Sequence, residues 1–347
     1  GIAATFKRYP LALISAMVCT AALIDVVESN PILGEELPWK IAMTAALGLP
    51  LFIAIAHFAE KPKWRLQLNI AVNVVGVLLL GVYYFTLPAD VESAVAHPVR
   101  FVLLFIALHF LVAVGPYVAE KKVEGFWQYN KTLFLRFLTA ALYSAVLYIG
   151  LTIAVAAADH LFGFDIDENT YMKMWIAITC GFNTWVFLGS IPRNLDNLSD
   201  IQEYPRGLKV FAQYILLPLV ALYFIILIAY EAKIIITWNW PKGWVSHLVL
   251  WYSVVGILSS LLLHPLREQA GNIWIKTFTK WFYRALIPLV VLLFLAIMRR
   301  VSEYGLTENR YFVLAMAIGL TIVVLYFVFS KSKDIRVIPG VLCVIAF

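Results

Sequence analysis

Guanidinium grips phosphate and carboxylate through a planar, two-pronged hydrogen-bond contact, and the stretch MRRVSEYGLTENRYF (298–312) carries it at Arg299, Arg300 and Arg310. Two chemistries fit this spacing. In the first, the charges serve helix ends: Arg299 stands four residues before Glu303, and Gly305 allows a sharp turn. Thr307 caps the next helix through its hydroxyl, and Glu308 meets the positive end of that helix dipole. Each such contact contributes about 0.3–1 kcal/mol. In the second, Arg310, Asn309, Tyr304 and Tyr311 form a donor-rich group. Together with Arg299 or Arg300, this group binds an anionic substrate or lipid-like molecule at the outer membrane boundary.

A second constellation lies in EAKIIITWNWPKGWVSHL (231–248), where Trp238, Trp240 and Trp244 surround Pro241 and Gly243. These rings suit a belt at head-group level. They equally suit an aromatic-walled slot for a sugar ring or lipid head group, with Lys242 as counter-charge. In NIWIKTFTKWFYRALIPL (272–289), Lys276, Lys280 and Arg284 recur every fourth residue opposite Trp274, Ile275, Phe278, Trp281 and Phe282. That pattern predicts an amphipathic helix lying in the interface, with its basic stripe on anionic lipid, before the chain turns into a span at Pro288.

Ionisable side chains inside an apolar run are costly and mark candidate sites. Asp25, His57, His109, Asp159, His160, Glu231 and His264 lie in or near such runs. Asp25, Asp159 and Glu231 fall near span ends. His109 falls near a span centre, where a neutral ring bonded to a neighbouring helix is expected. DHLFGFDIDE (159–168) could hold a divalent cation or be a solvated acidic loop. The mixed-charge loop IPRNLDNLSDIQEYPRGLK (191–209) reads as self-paired and solvated, or as a gate or docking element. HExxH, GxSxG, P-loop and GxGxxG motifs are absent, so no catalytic residue, cofactor or metal site is assigned.

These residues are positioned by a chain that is 62% hydrophobic and 14% charged, with a mean hydropathy of +0.85. A soluble domain carries roughly 25% charged residues, and strands of alternating polarity, as in a membrane β-barrel, are not seen. The expectation is an all-α, polytopic transmembrane helix bundle. Spans are expected at 9–27, 39–59, 66–87, 99–119, 131–159, 171–191, 207–230, 244–264, 283–300 and 311–329. An eleventh starts near 336 and is still open at Phe347, so the chain is expected to continue. The first six spans occupy 1–192 and the later ones 193–347 of a single membrane domain. Most of the 27 lysines and arginines fall in loops on the side of the N-terminus, which places that side in the cytoplasm. The outer loops are then acidic in the N-terminal half, with Lys233, Lys242, Arg299, Arg300 and Arg310 adding positive charge in the C-terminal half. Basic residues in short loops between spans point to anionic lipid head groups rather than nucleic acid. Cys19, Cys180 and Cys343 are isolated in apolar segments and imply no disulfide framework.

The pieces YPRGLK (204–209), TWNWPKGWVS (237–246) and EYGLTENRY (303–311), with a shorter likeness in FKRYPL (6–11), resemble the domain of unknown function 4153 family of bacterial polytopic membrane proteins. The resemblance is clearest over 204–347. It implies a multi-pass protein of the bacterial inner membrane with an extracytoplasmic segment after this point, and it implies no activity. Three functions remain open. The helices transport or bind an anionic or lipid-like substrate. Alternatively, they anchor a partner or the chain's own C-terminal region, docked on the outer arginines. Or they form a transferase on lipid-linked substrates, for which Asp25, Asp159 and Glu303 are the acids to check against the arginines. A non-enzymatic role is the expectation.

Overall fold

Backbone N–H and C=O groups in a membrane must find partners within their own segment, and a helix provides them. The computed structural model describes residues 2–28, 36–60, 64–88, 96–117, 123–162, 166–167, 169–192, 217–237, 244–267, 273–330 and 333–347, and among these every regular element is helical. Among the described residues, eight helices are long and apolar enough to cross a membrane, and two shorter apolar helices cover Ser246–Leu262 and Val337–Ala346. The protein is an all-helical polytopic membrane bundle. It divides into two compact units, one over Gly1–Ser199 together with Ala346–Phe347 and one over Asp200–Ile345.

The first unit contains α1 (Ile2–Arg8), α2 (Pro10–Val27), α3 (Leu37–Glu60), α4 (Leu66–Thr86) and α5 (Ala96–Val114), the last running into a 3-10 turn at Gly115–Tyr117. After α6 (Val123–Phe162), α7 (Asn169–Ile176) and α8 (Asn183–Ser190) are joined without a break by one π-helical segment, Ala177–Phe182. Helix α3 is the hub and packs on α2, α4 and α5. Its small residues allow close approach: a Cβ added at Gly48 would stand 2.5 Å from Ser15 Oγ and 3.1 Å from Leu80 Cδ1. Helices α4 and α6 instead present exposed rows such as Val74, Val77 and Leu78, and Leu142, Val146 and Ile149, the surface expected to face lipid. At the end of α2, Glu28 pairs with Lys173 of α7.

The second unit contains α9 (Leu217–Thr237), α10 (Trp244–Leu262) with a 3-10 turn at His264–Leu266, α11 (Ile273–Tyr304), α12 (Glu308–Phe329) and α13 (Val337–Ala346). Here α11 is the hub, with Leu286, Leu289 and Leu293 fully buried. An aromatic ladder links it to its neighbours: Phe278 stacks on Phe282, Phe282 meets Tyr252 of α10, and Tyr283 stacks on Phe327 of α12 at 4.4 Å.

Three helix boundaries depart from expectation. The predicted separate interfacial helix ending at Pro288 is instead the first part of the unbroken 32-residue α11. Proline removes one hydrogen bond, but the buried run Leu286, Leu289 and Val290 around it keeps both halves in one helix. Helix α6 begins at Val123 rather than 131, because Phe126 and Trp127 bury their rings and extend the helix inward. Helix α9 continues to Thr237 rather than stopping at 230, because Ile234 is buried. Glu231 and Lys233 thus lie within the helix.

Gly256 is the most closely packed of the described glycines in the second unit, since an added Cβ would lie 2.3 Å from the Phe282 ring. Gly256→Ala is therefore expected to destabilise by about 1–3 kcal/mol, read from thermal unfolding in detergent. Gly150→Ala in α6, where a Cβ meets nothing within 4 Å, serves as the control and is expected to be neutral or stabilising.

Candidate functional site

The polar chemistry of the first unit gathers where α1 meets α2, around the ends of α3, α5, α6 and α8. Arg8 directs Nε and Nη2 to Glu60 Oε1 and Oε2 at 2.6 and 2.8 Å, a two-pronged pair between the α1–α2 junction and the last residue of α3. Its Nη1 and Nη2 also donate to the carbonyls of Ile191 and Pro192, at 2.9 and 2.8 Å, where α8 ends. Cations suit that end of a helix. Burial works against the Arg8 charge, but the Glu60 hydrogen bond and the nearby charges outweigh it and leave the guanidinium above its ordinary pKa.

Beside this pair lies a directed hydrogen-bond chain. The Tyr129 hydroxyl donates to Val112 O at 3.0 Å, so its oxygen accepts from Nδ1–H of His57 at 2.7 Å. His57 is fully buried, which disfavours a charged ring, so Nε2 carries no proton and accepts the Tyr9 hydroxyl at 2.8 Å. The chain and the burial together specify a neutral His57 with its proton on Nδ1. His57 is 0% exposed, and Tyr9 and Tyr129 are each 1% exposed, so the chain is sealed from solvent.

Next to the clasp opens a pocket of about 330 Å³. Arg8, Tyr9 and Glu60 line it together with the apolar Pro10, Leu11, Ala12, Phe52, Ala56 and Ala59. Lys7, Trp64, Asn69 and Asn73 stand around it. An apolar groove of about 410 Å³ shares Leu11, Asn69 and Asn73 with this pocket and runs on along Ile70, Val74, Val77 and Leu78 of α4. Asn73 Nδ2 donates to Asn69 O and Oδ1, both at 2.8 Å, so the amide pair stays on the helix it belongs to. A pocket of mixed polarity beside an open apolar groove matches the shape and polarity of an amphiphile.

The predicted site residues fall elsewhere. In the 298–312 hairpin, Arg299 Nε pairs with Glu303 Oε1 at 2.7 Å, and Gly305 turns the chain with φ +74°. Arg310 Nη1 donates to the Gly305 carbonyl at 2.6 Å, just past the end of α11. Thr307 occupies the N-cap position with extended backbone, but its side chain makes no cap hydrogen bond, contrary to expectation. The first turn is closed by backbone bonds such as Tyr311 N to Thr307 O at 2.8 Å. Arg300 is half-buried at the same helix end, and Asn309 and Tyr311 are exposed. The side chain of Tyr304 lies outside the described residues, as do that of Asp159 and residues Lys242, Trp238 and Trp240. His109 Nδ1 bonds Phe105 O of its own helix at 2.7 Å rather than a neighbouring helix, since its ring faces outward. Asp25 and Glu231 are half-buried near the ends of α2 and α9. Lys276, Lys280 and Arg284 form an exposed stripe on the first turns of α11.

Sequence reasoning noted His57 but missed its partners Tyr9 and Tyr129, and it missed Asn69 and Asn73. Two asparagines one turn apart within the apolar run 66–87 were a visible signal for the pocket.

Tyr9→Phe removes the donor to a sealed ring nitrogen and is expected to lower stability by about 1–3 kcal/mol in chemical or thermal unfolding. Arg299→Ala breaks an exposed pair and is expected to shift stability by less than about 1 kcal/mol in the same assay.

Among proteins of known sequence, the chain is similar to Uncharacterized protein PM1469 of Pasteurella multocida (strain Pm70), with 25% identity over 344 residues. That alignment takes in 98% of this chain and 55% of the relative, so the chain spans just over half the relative's length. No solved structure matches. The family described as Domain of unknown function (DUF4153) matches residues 11–347, well beyond the 204–347 region in which its motifs are plainest. The chain belongs to the DUF4153 family.

Proposed function

We propose that the protein binds, and as a carrier moves, an amphiphile with an anionic head group. The head group sits in the pocket beside the Arg8–Glu60 clasp and the tail lies in the groove along α4. One observation carries this reading: the pocket, which holds the polar groups, and the apolar groove share Leu11, Asn69 and Asn73, so one molecule can fill both. Arg8 is engaged by Glu60 and two carbonyls, which leaves Lys7 at the rim as the cation for the head group, with the Asn69–Asn73 amides and the Trp64 indole beside it. The distribution of basic residues puts this end in the cytoplasm and favours the bacterial inner membrane. The substrate class is the one expected from the outer arginines, but the residues offered for it belong to the first unit. A second reading, in which the helices anchor or assemble further protein, draws on the relative of which this chain covers 55%.

The test is native mass spectrometry of lipids retained by the full chain after purification from its own membrane. Wild type is expected to hold an anionic amphiphile. The Lys7→Gln, Asn73→Leu double variant is expected to lose roughly tenfold of that occupancy while unfolding at the wild-type temperature. Equal occupancy in both would refute the reading.

A further inference from the structure

Cys19 and Cys180 are isolated in the sequence, and the fold of the first unit brings them together. Helix α2 packs on α7, on the π-helical segment Ala177–Phe182 and on α8. The two partners run antiparallel and are tied at both ends. Glu28 pairs with Lys173 at one end, and Arg8 donates to Ile191 O at 2.9 Å at the other. Cys19 stands eleven residues after Arg8, and Cys180 stands eleven before Ile191. Both therefore lie at one level, about three turns in from the same end. Their neighbours show the same register, since a Cβ added at Gly181 would stand 3.8 Å from Thr20 Oγ1.

The two thiols are hydrogen-bonded to each other. Thr179 Oγ1 donates to Trp175 O at 2.7 Å, so at 3.9 Å from Cys180 Sγ it accepts the Cys180 proton. The sulfur of Cys180 is thereby left to accept the S–H of Cys19. Side chains that point at one another from elements of fixed register meet the first geometric requirement of a disulfide. The π-helical turn that carries Cys180 is a rare element, found most often at functional sites. Cys19 is buried and Cys180 half-buried. Cys19 is the tenth of the 18 residues of α2, which sets the pair near mid-span. Water-soluble thiols that keep cytoplasmic cysteines reduced do not enter that layer, and an oxidant that reaches the pair has to dissolve in the bilayer.

We propose that Cys19 and Cys180 are a redox-active dithiol that closes to a disulfide between α2 and the π-helical segment, with a lipid-soluble quinone as electron acceptor. Two S–H bonds break and one S–S bond forms. The two electrons and two protons pass to the quinone, which leaves as quinol. Closure fastens α2 to the α7–α8 helix at mid-span, between the polar ties at its ends. Cys343 lies in α13 of the second unit and serves as the internal control.

The experiment places the reduced full chain in nanodiscs, adds tetramethylbenzoquinone, whose fully substituted ring resists addition of thiols, and counts the remaining thiols with a maleimide after unfolding. Without quinone, all three cysteines are expected to label. With quinone, Cys343 alone is expected to label, a peptide joining residues 19 and 180 is expected in mass spectrometry, and about one quinol forms per chain. Cys343→Ser is expected to close the bond as wild type does. Cys180→Ser is expected to label at Cys19 and Cys343 with or without quinone. Iodine, a smaller lipid-soluble oxidant reduced to two iodides, tests proximity alone. Closure by iodine but not by the quinone would overturn the assigned acceptor, and three free thiols after both treatments would overturn the pair itself.

Discussion

The first unit depends on one half-buried ion pair. Arg8 and Glu60 join the junction of α1 and α2 to the end of α3, and the remaining guanidinium protons hold the carbonyls that close α8. Buried or half-buried charges are costly unless their hydrogen bonds are complete, and completeness is what makes this pair restrictive. Neither partner can be satisfied unless three helix ends arrive together. The Tyr9–His57–Tyr129 chain adds α5 and α6 under the same rule, because each hydroxyl or ring proton has one acceptor. Apolar helices in a membrane lack a hydrophobic drive to choose among one another, so directional polar contacts of this kind select the arrangement.

Fixing one end so firmly leaves a gap beside it. Helix α4 enters after Trp64 and packs on α3 through Gly76, whose added Cβ would stand 3.1–3.2 Å from Ile55 and Phe52. Lower on the same helix, Asn69 and Asn73 stay apart from α2 and bound the pocket. The site is therefore a consequence of two demands on α4, close packing at Gly76 and polar side chains one turn below. In the second unit the same logic works through aromatic packing. Phe282 on Tyr252 and Tyr283 on Phe327 register α11 against its neighbours.

Much of the fold was legible because the membrane makes it so. Among the described residues, the eight helices long and apolar enough to cross a membrane all lie on expected spans, since a run of about 20 apolar residues has few alternatives in a bilayer. What was not legible depended on pairing. Pro288 read as a break because proline removes a hydrogen bond, yet buried leucines around it hold α11 together. The segment 123–130 read as a loop, although its aromatics face a core that the sequence does not display. Arg310 stood out by its charge and rests on the Gly305 carbonyl, while Arg8 looked like one more cytoplasmic flank and is the centre of the clasp. Side chains that act locally can be inferred from spacing; Arg8 acts on residues 52 and 183 positions away, and spacing is silent about that.

The most direct measurement is a high-resolution density map of the full-length protein extracted with its native lipid, inspected in the pocket beside the clasp and in the groove along α4. The account predicts continuous elongated density, with a compact head near Lys7, Asn69 and Asn73 and a tail past Val74 and Val77. A pocket and groove filled by protein side chains, or ordered lipid density confined to the hairpin around Arg300 and Arg310, would contradict it.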